Sequence, residues 1–413
     1  MQPAVGGCLR CSDPHICATL RETPLCRSCY PRETVSRIRR TLYNRCHIAR
    51  GANLLVAFSG GHSSSALSYA IHDIIKQNTW VKVFSLTLVH VDQTRVSPKF
   101  NPDESERFLT QVREQMEWFG CPHHIVSLEQ LFEGHSTIAM QSLFQTLESD
   151  SAREDMLQNL REQLLVQFAR DNQFPFLLLG DSCTRLAIRT LGNTAKGRGR
   201  GLPLELAFSR LYEEEGVTLV RPMKELLDKE AAIMMRLVGM KCGSCRTFST
   251  ATDLHSTIDR IAETFVLRVQ RDYPSTVHTI LRSADRLKFS GKDPATCPLC
   301  RSPMPPSELD LARDSHQQGH PLSTFVCMCY SCRRNLGSVH EHLLEGLAES
   351  SGDVQDPLDE MLPSYVVQRR QLNEDQLRSQ LQGFLLEDLR EDQEEGDQSA
   401  ARCDSSTPPS DPS

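Results

Sequence analysis

The chain has 413 residues, an apolar share of 39% and a formal net charge of −7, enough for one α/β core with smaller attachments. The charge is uneven: residues 1–50 carry nine arginines against three acids, and residues 387–413 carry nine acids against two arginines, a layout that suits an anionic partner at the front. Residues 1–30 lack an apolar h-region and no apolar run reaches the ~20 residues that span a bilayer, so a secretory or membrane-spanning chain is not expected and a cytoplasmic or nuclear one is.

Sixteen cysteines in a reducing compartment point to metal or redox chemistry before disulfides. In the Cys- and Arg-rich head, residues 1–50, Cys8-x-x-Cys11 is followed after 14 residues by Cys26-x-x-Cys29. Two such knuckles can place four thiolates around one tetrahedral zinc, leaving no open position, so the expected role is structural. Cys17 is spare. Arg37, Arg39, Arg40, Arg45 and Arg50 follow as candidate phosphate contacts, weighed against a merely solvated basic face.

Residues 51–290 alternate apolar strands with helical patterns, as βαβ units do. Residues 54–58 read as a strand, followed by Ser59-Gly60-Gly61-His62-Ser63-Ser64-Ser65. Ala66, Leu67, Tyr69, Ala70, Ile74 and Ile75 then form an apolar helical face. Glycines let a backbone approach a phosphate, and a helix N-terminus offers N–H donors and positive dipole. The competing reading is an ordinary βα turn capped by serine. Residues 83–91 form a second strand pattern ending at Asp92, and residues 176–179 a third ending at Gly180-Asp181. A parallel sheet puts such ends on one edge, so the candidate nucleotide-site residues are Ser59, Gly60, Gly61, Ser63, Ser64, Ser65, Asp92 and Asp181. Lys196-Gly197-Arg198-Gly199-Arg200 reads as a flexible basic loop. Arg221-Pro222-Met223 precedes another helical pattern. Cys242-x-x-Cys245 stands alone and, with Cys183, makes the set of candidate reactive thiols.

In residues 291–345, Cys297-x-x-Cys300 and, 28 residues on, Cys329-x-x-Cys332 make a second zinc-type set. Cys327 can substitute for Cys329, and a segment this short is more plausible with a metal staple. In residues 346–413, Leu377, Leu381, Phe384 and Leu385 fall at helical spacing before an acidic, Ser/Pro-rich end that reads as disordered. Four regions are therefore expected: 1–50, 51–290, 291–345 and 346–413.

Together these motifs resemble the PP-loop ATP pyrophosphatase superfamily. Ser59-Gly60-Gly61-His62-Ser63-Ser64 aligns with its Ser-Gly-Gly-x-Asp-Ser loop, His90-Val91-Asp92 with its second strand motif, and Arg221-Pro222-Met223 with its late Arg-Pro-Leu motif. The narrower run Gly180-Asp-Ser-Cys-Thr-Arg-Leu-Ala187, the triple serine, Phe265-Val-Leu-Arg268 with Tyr273-Pro-Ser-Thr276, and Cys329-Tyr-Ser-Cys332 resemble the cytoplasmic tRNA 2-thiolation protein 2 family. The resemblance implies an adenine nucleotide alpha hydrolase-like α/β fold with a doubly wound parallel sheet, flanked by N- and C-terminal zinc modules. It implies a heterodimer with a catalytic homologue, cytoplasmic tRNA 2-thiolation protein 1, acting on the wobble uridine of lysine, glutamine and glutamate tRNAs. Sulfur would arrive as the thiocarboxylate of a ubiquitin-related modifier. On this reading Arg37, Arg39, Arg40, Arg45, Lys196, Arg198 and Arg200 are tRNA contacts.

The chain departs from the superfamily pattern at the positions that carry chemistry. Ser63 stands at the loop aspartate. Thr184 and Arg185 stand at a later pair of carboxylates, and residues 141–160 contain no CxxC. Adenylation needs carboxylates for magnesium beside the phosphates, and sulfur relay needs a thiolate or cluster. The expectation is a fold that kept its shape and lost most of its chemistry: a subunit that is not itself catalytic, in which ATP use is doubtful. Three alternatives stay open: a stand-alone ATP-pyrophosphatase-type synthetase, a zinc-containing RNA-binding scaffold, and a subunit that takes part in catalysis directly through Cys183 or Cys242 and Cys245.

Overall fold

A computed structural model describes residues 7–77, 83–96, 102–243, 253, 255–287, 296–305, 324–347 and 357–370. In chain order its elements are β1 (Ala18–Leu20), β2 (Thr23–Leu25), α1 (Cys29–Asn44), β3 (Ala52–Ala57), α2 (His62–Gln77), β4 (Phe84–Asp92), α3 (Pro102–Trp118), β5 (His123–Ser127), α4 (Thr137–Thr146) and α5 (Asp150–Asp171). Then come β6 (Phe176–Leu178), α6 (Cys183–Ala195), α7 (Leu202–Glu205), β7 (Ser209–Tyr212), β8 (Val217–Val220), α8 (Asp228–Val238), α9 (Ile258–Asp272), α10 (Thr276–Ala284), α11 (Tyr330–Leu347) and α12 (Pro357–Met361). The Leu377–385 stripe, the acidic end, Cys245 and Cys403 lie outside the described residues.

Strands β3 to β8 form one sheet in the order β5-β4-β3-β6-β8-β7. Neighbours pair in parallel except β7, which runs antiparallel to β8 as an edge hairpin. The chain leaves β3 for β4 on one side and later enters β6 on the other, so the winding reverses between β3 and β6. In open α/β sheets such a switch point makes the crevice where ligands sit. This is the doubly wound sheet that the strand patterns and the resemblance imply.

Three successive side chains of β3, Leu54, Leu55 and Val56, are fully buried. A central parallel strand is covered on both faces, so its apolar residues run on rather than alternate. Val56 belongs to one apolar cluster with Ala66 and Ile71 of α2, Met116 of α3 and Met234 of α8, and Leu55 to a second with Met156 and Leu160 of α5 on the opposite face. Each such burial contributes about 1.5–3 kcal/mol of transfer free energy. The cysteine sets belong to these same layers: Cys8 and Cys26 join the first cluster, and Cys297, Cys329 and Cys332 the second. A third cluster joins α6, α9 and α10 through Leu186, Ala187, Val266 and Leu281. Among the described residues no helix is long and apolar enough to cross a membrane.

Candidate functional site

The Gly-rich loop sits at the switch point. Gly60 adopts φ +78°, a left-handed conformation that glycine takes without cost. Ser59 N–H donates to Ser64 Oγ at 3.2 Å, and Ser64 Oγ donates to the Gly61 carbonyl at 3.1 Å, closing the turn on itself. The end of β6 presses against it: a Cβ on Gly180 would lie 2.9 Å from both Cα and N of Ser64. Gly180 is therefore needed for a close backbone approach.

The residues that replace the superfamily carboxylates meet one another. Ser63 Oγ donates to Asp228 Oδ1 at 2.8 Å. The Asp228 N–H donates to Thr184 Oγ1 at 3.3 Å, and Arg185 Nε stands 3.8 Å from Asp228 Oδ2. Thus the starts of α2, α6 and α8 are tied through one carboxylate. Asp181 is likewise occupied: Arg189 and Arg221 both reach its Oδ2 at 3.2 Å. Burial pushes its carboxyl up, but the two guanidinium groups outweigh that and hold it below the ordinary range. Asp92 accepts from the Thr94 amide at 2.8 Å in its own turn. A magnesium nucleotide needs carboxylates turned toward its phosphates. Here Asp181 is held by two guanidinium groups, Asp228 by the Ser63 hydroxyl with Arg185 3.8 Å away, and Asp92 accepts an amide of its own turn, so each of the three carboxylates already has a partner.

The two described thiol candidates, Cys183 and Cys242, are both raised in pKa by burial. Cys183 is 1% exposed, with its sulfur 3.2 Å from His278 Nδ1. Burial pushes its pKa up to about 12, and burial also lowers His278. Neither charge needed for a thiolate–imidazolium pair is favoured. Cys242 is half-buried and raised by burial. Its stretch does rest on the loop: Gly243 N–H donates to the Gly60 carbonyl at 3.1 Å, and Gln115 Nε2 donates to the Lys241 carbonyl at 2.9 Å. Cys245 falls outside the described residues.

Both cysteine quartets close. In each, the four sulfurs lie within 4.8 Å of one another. Cys11 and Cys26 stand 3.5 Å apart, and Cys300 and Cys329 3.6 Å apart. Four thiolates about 2.3 Å from one tetrahedral ion would stand about 3.8 Å apart. The donor sets therefore suit a single ion, because four thiolates on four separate irons of a cube would have to stand wider. Cys8, Cys11, Cys26 and Cys29 can hold one ion, and Cys297, Cys300, Cys329 and Cys332 another.

The basic residues divide differently from the sequence expectation. Lys196 and Arg198 are 6% and 8% exposed, not on an open loop. Lys196 Nζ donates to Asp155 at 2.7 Å and Asp259 at 2.9 Å, and Arg198 Nη2 lies 3.2 Å from Asp155. Arg198 also donates to Ser331 Oγ at 2.9 Å and points Nη2 toward Cys332 Sγ at 3.9 Å. Arg198 braces the second quartet and Lys196 pairs with Asp155 and Asp259, so both are engaged inside the protein and not presented on an open loop. The reason is that Asp155 on α5 is itself buried and requires counter-charge. Arg200 is exposed. On α1, Arg37 and Arg40 converge with Arg10 on Glu33 at 3.6, 3.0 and 2.7 Å. Arg39 is exposed, and Arg45 lies over the Phe208 ring at 4.8 Å. The sequence reading missed Asp228, Asp155 and Glu33. Only Asp228 had a local signal, its place at the start of an apolar helical pattern after Arg221-Pro222.

A family model for cytoplasmic tRNA 2-thiolation protein 2 matches residues 257–324. A Bos taurus protein of that name is 27% identical, the alignment covering 90% of each chain. The Xenopus laevis protein named cytoplasmic tRNA 2-thiolation protein 2-A is 26% identical over 94% of this chain and 95% of its own. The solved structure of the U34-tRNA thiolase NcsA from Methanococcus maripaludis, with its [4Fe-4S] cluster, covers 72% of this chain and 92% of its own at TM-score 0.55 and 16% identity. Its likeness is one of fold. With the Ser-Gly-Gly loop at the switch point and the two flanking quartets, the chain is similar to the cytoplasmic tRNA 2-thiolation protein 2 sequences and shares a PP-loop-type α/β fold with the thiolase structure.

Proposed function

We propose that this protein is a subunit of a cytoplasmic tRNA 2-thiolation machine, paired with a catalytic homologue, tRNA 2-thiolation protein 1. The pair would act on the wobble uridine of lysine, glutamine and glutamate tRNAs and take sulfur from the thiocarboxylate of a ubiquitin-related modifier. The subunit's own part is to bind tRNA and support its partner, not to adenylate. The observation that carries this is Asp228: it joins Ser63, Thr184 and Arg185, which stand where the superfamily pattern has carboxylates. A cleft whose carboxylates are already paired keeps the fold and gives up the metal. The two quartets hold structural zinc, and the exposed arginines of α1 face tRNA.

The test is to deplete the protein from its own cells and quantify 2-thiouridine at the wobble position by mass spectrometry. Loss of the thio group, restored by re-expression and also by the Cys183→Ala variant, is expected. Unchanged 2-thiouridine overturns the reading. ATP consumption and pyrophosphate release by the purified chain alone would overturn the supporting role.

A further inference from the structure

The C-terminal end of α3 and the middle of α2 carry, beside the loop, an aromatic cluster that the cleft does not use. Trp118, the last residue of α3, is 54% exposed. Its ring centroid lies 5.0 Å from Phe119 edge-on, 5.6 Å from His72 and 6.3 Å from Tyr69, nearly stacked. Phe119 is buried and meets Phe58, also buried, at 6.0 Å. The indole is thus anchored through Phe119 to the end of β3 while more than half its surface stays open. Burial, assisted by Lys76, lowers the His72 pKa and so disfavours its charged form.

Cations flank the cluster. Arg32 and Arg39 sit seven residues apart on α1, which places them on one face two turns apart. Helix α1 packs against α2, where Lys76 follows His72 by one turn. Arg32, Arg39 and Lys76 are exposed, and among the described residues none of them makes an ion pair. The acids at this surface are Asp73, which lies in the field of all three and accepts from Gln77 at 2.6 Å, and the exposed Glu114 and Glu117 of α3 beside Trp118. Arg10, Arg37 and Arg40 differ, because they share Glu33.

We propose that Trp118, backed by Tyr69 and His72, is a stacking platform for an unpaired RNA base, with Arg32, Arg39 and Lys76 taking the neighbouring phosphates. An exposed, pre-positioned aromatic ring beside unpaired cations is the chemistry that binds single-stranded nucleic acid: the ring accepts any base face and the cations track the backbone. A protein partner covering this face would have to bury or neutralise three cations. Lys76 lies 14 residues along α2 from the loop, about 21 Å at 1.5 Å per residue, and Tyr69 about 10 Å. One RNA can therefore reach both the cleft mouth and the platform. This rests on the tRNA-binding reading above and names a surface for it outside the cleft.

The test uses the full-length chain and a labelled, unmodified lysine tRNA, with affinity followed by anisotropy across a salt titration. Trp118→Ala is expected to weaken binding roughly tenfold with the salt slope unchanged, and Trp118→Phe to keep most of the affinity. Arg32→Ala combined with Arg39→Ala is expected to reduce the slope by about two. Equal melting temperatures for the variants confirm that folding is not the cause. Wild-type binding that Trp118→Ala leaves intact overturns the platform alone, even if the variant impairs a protein contact. A wild-type chain that binds no tRNA at any salt overturns the functional reading and the platform with it.

Discussion

Neutralising Asp155 tests how the second quartet is fastened to the core. The Asp155 side chain is 3% exposed and accepts from Lys196 at 2.7 Å and from Asn335 at 3.1 Å, with Arg198 at 3.2 Å. In Asp155→Asn, Lys196 keeps Asp259 but Arg198 loses its carboxylate while remaining inside the protein. Leaving one member of a buried pair uncompensated costs about 3–5 kcal/mol. Against a usual total of about 5–15 kcal/mol that is a large fraction. With a urea slope of about 2 kcal/mol per molar, the midpoint should fall by about 2 M. The assay is urea unfolding by circular dichroism, with Lys196→Met as a second arm. If Lys196 and Arg198 are interior braces, Lys196→Met lowers stability and leaves the salt slope of tRNA binding unchanged. A midpoint shift in Asp155→Asn under about 0.3 M, or a slope reduced by about one in Lys196→Met, would refute the burial argument.

Three further outcomes follow from the geometry. Gly180→Ala forces a Cβ to within 2.9 Å of the Ser64 backbone and should cost about 1–3 kcal/mol, whereas at Gly61 the nearest obstacle is a Ser59 hydroxyl at 3.5 Å and alanine should cost less; thermal melts separate the two. Asp181 is held below its unfolded value, so its contribution is present above about pH 4 and lost as pH falls through the folded value. In Asp181→Asn the urea midpoint should be lower at pH 7 and decline less below pH 4 than in wild type; an identical acid limb would contradict the pairing. Native mass spectrometry should find two zinc ions per chain, with Cys8→Ser and Cys297→Ser each losing one; wild type carrying none would remove both structural sites.

Much of the frame was legible in sequence because it rests on local pattern. The strand run 54–58, the serine-glycine turn and the helix beyond it fall at β3, the loop and α2. The cysteine spacings predicted two quartets, and the sulfurs converge as two quartets. Strands β5 and β7, at the two sheet edges, mix polar residues with few apolar ones and were not read, nor was β8, whose four residues are interrupted by Thr218; β6 was read because its three residues are all apolar. The fate of Lys196 and Arg198 could not be read at all: Lys-Gly-Arg-Gly-Arg looks solvated, and only the fold brings Asp155, 41 positions upstream of Lys196, against it. Charge in sequence does not reveal burial, since the partner that makes burial tolerable is set by tertiary contact.

The engagement of Asp228 is likewise a property of a network, which makes it hard to undo one residue at a time. Restoring the loop carboxylate with Ser63→Asp would place it against Asp228, where the serine oxygen now sits 2.8 Å from Oδ1. Two carboxylates about 4 Å apart repel by between about 1 and 4 kcal/mol, the lower figure applying to water and the higher to a typical protein surface. Asp228 is 35% exposed, so the effect should fall inside that range, and the shared site should raise the pKa of one carboxyl. Ser63→Asp alone should therefore lower the urea midpoint at pH 7, and recover part of it near pH 5 as one carboxyl takes a proton. Adding Asp228→Asn should relieve the repulsion and return the midpoint toward wild type. If instead Ser63→Asp is as stable as wild type, or magnesium stabilises it, the cleft still has a place for a metal and the argument that Asp228 closed it fails.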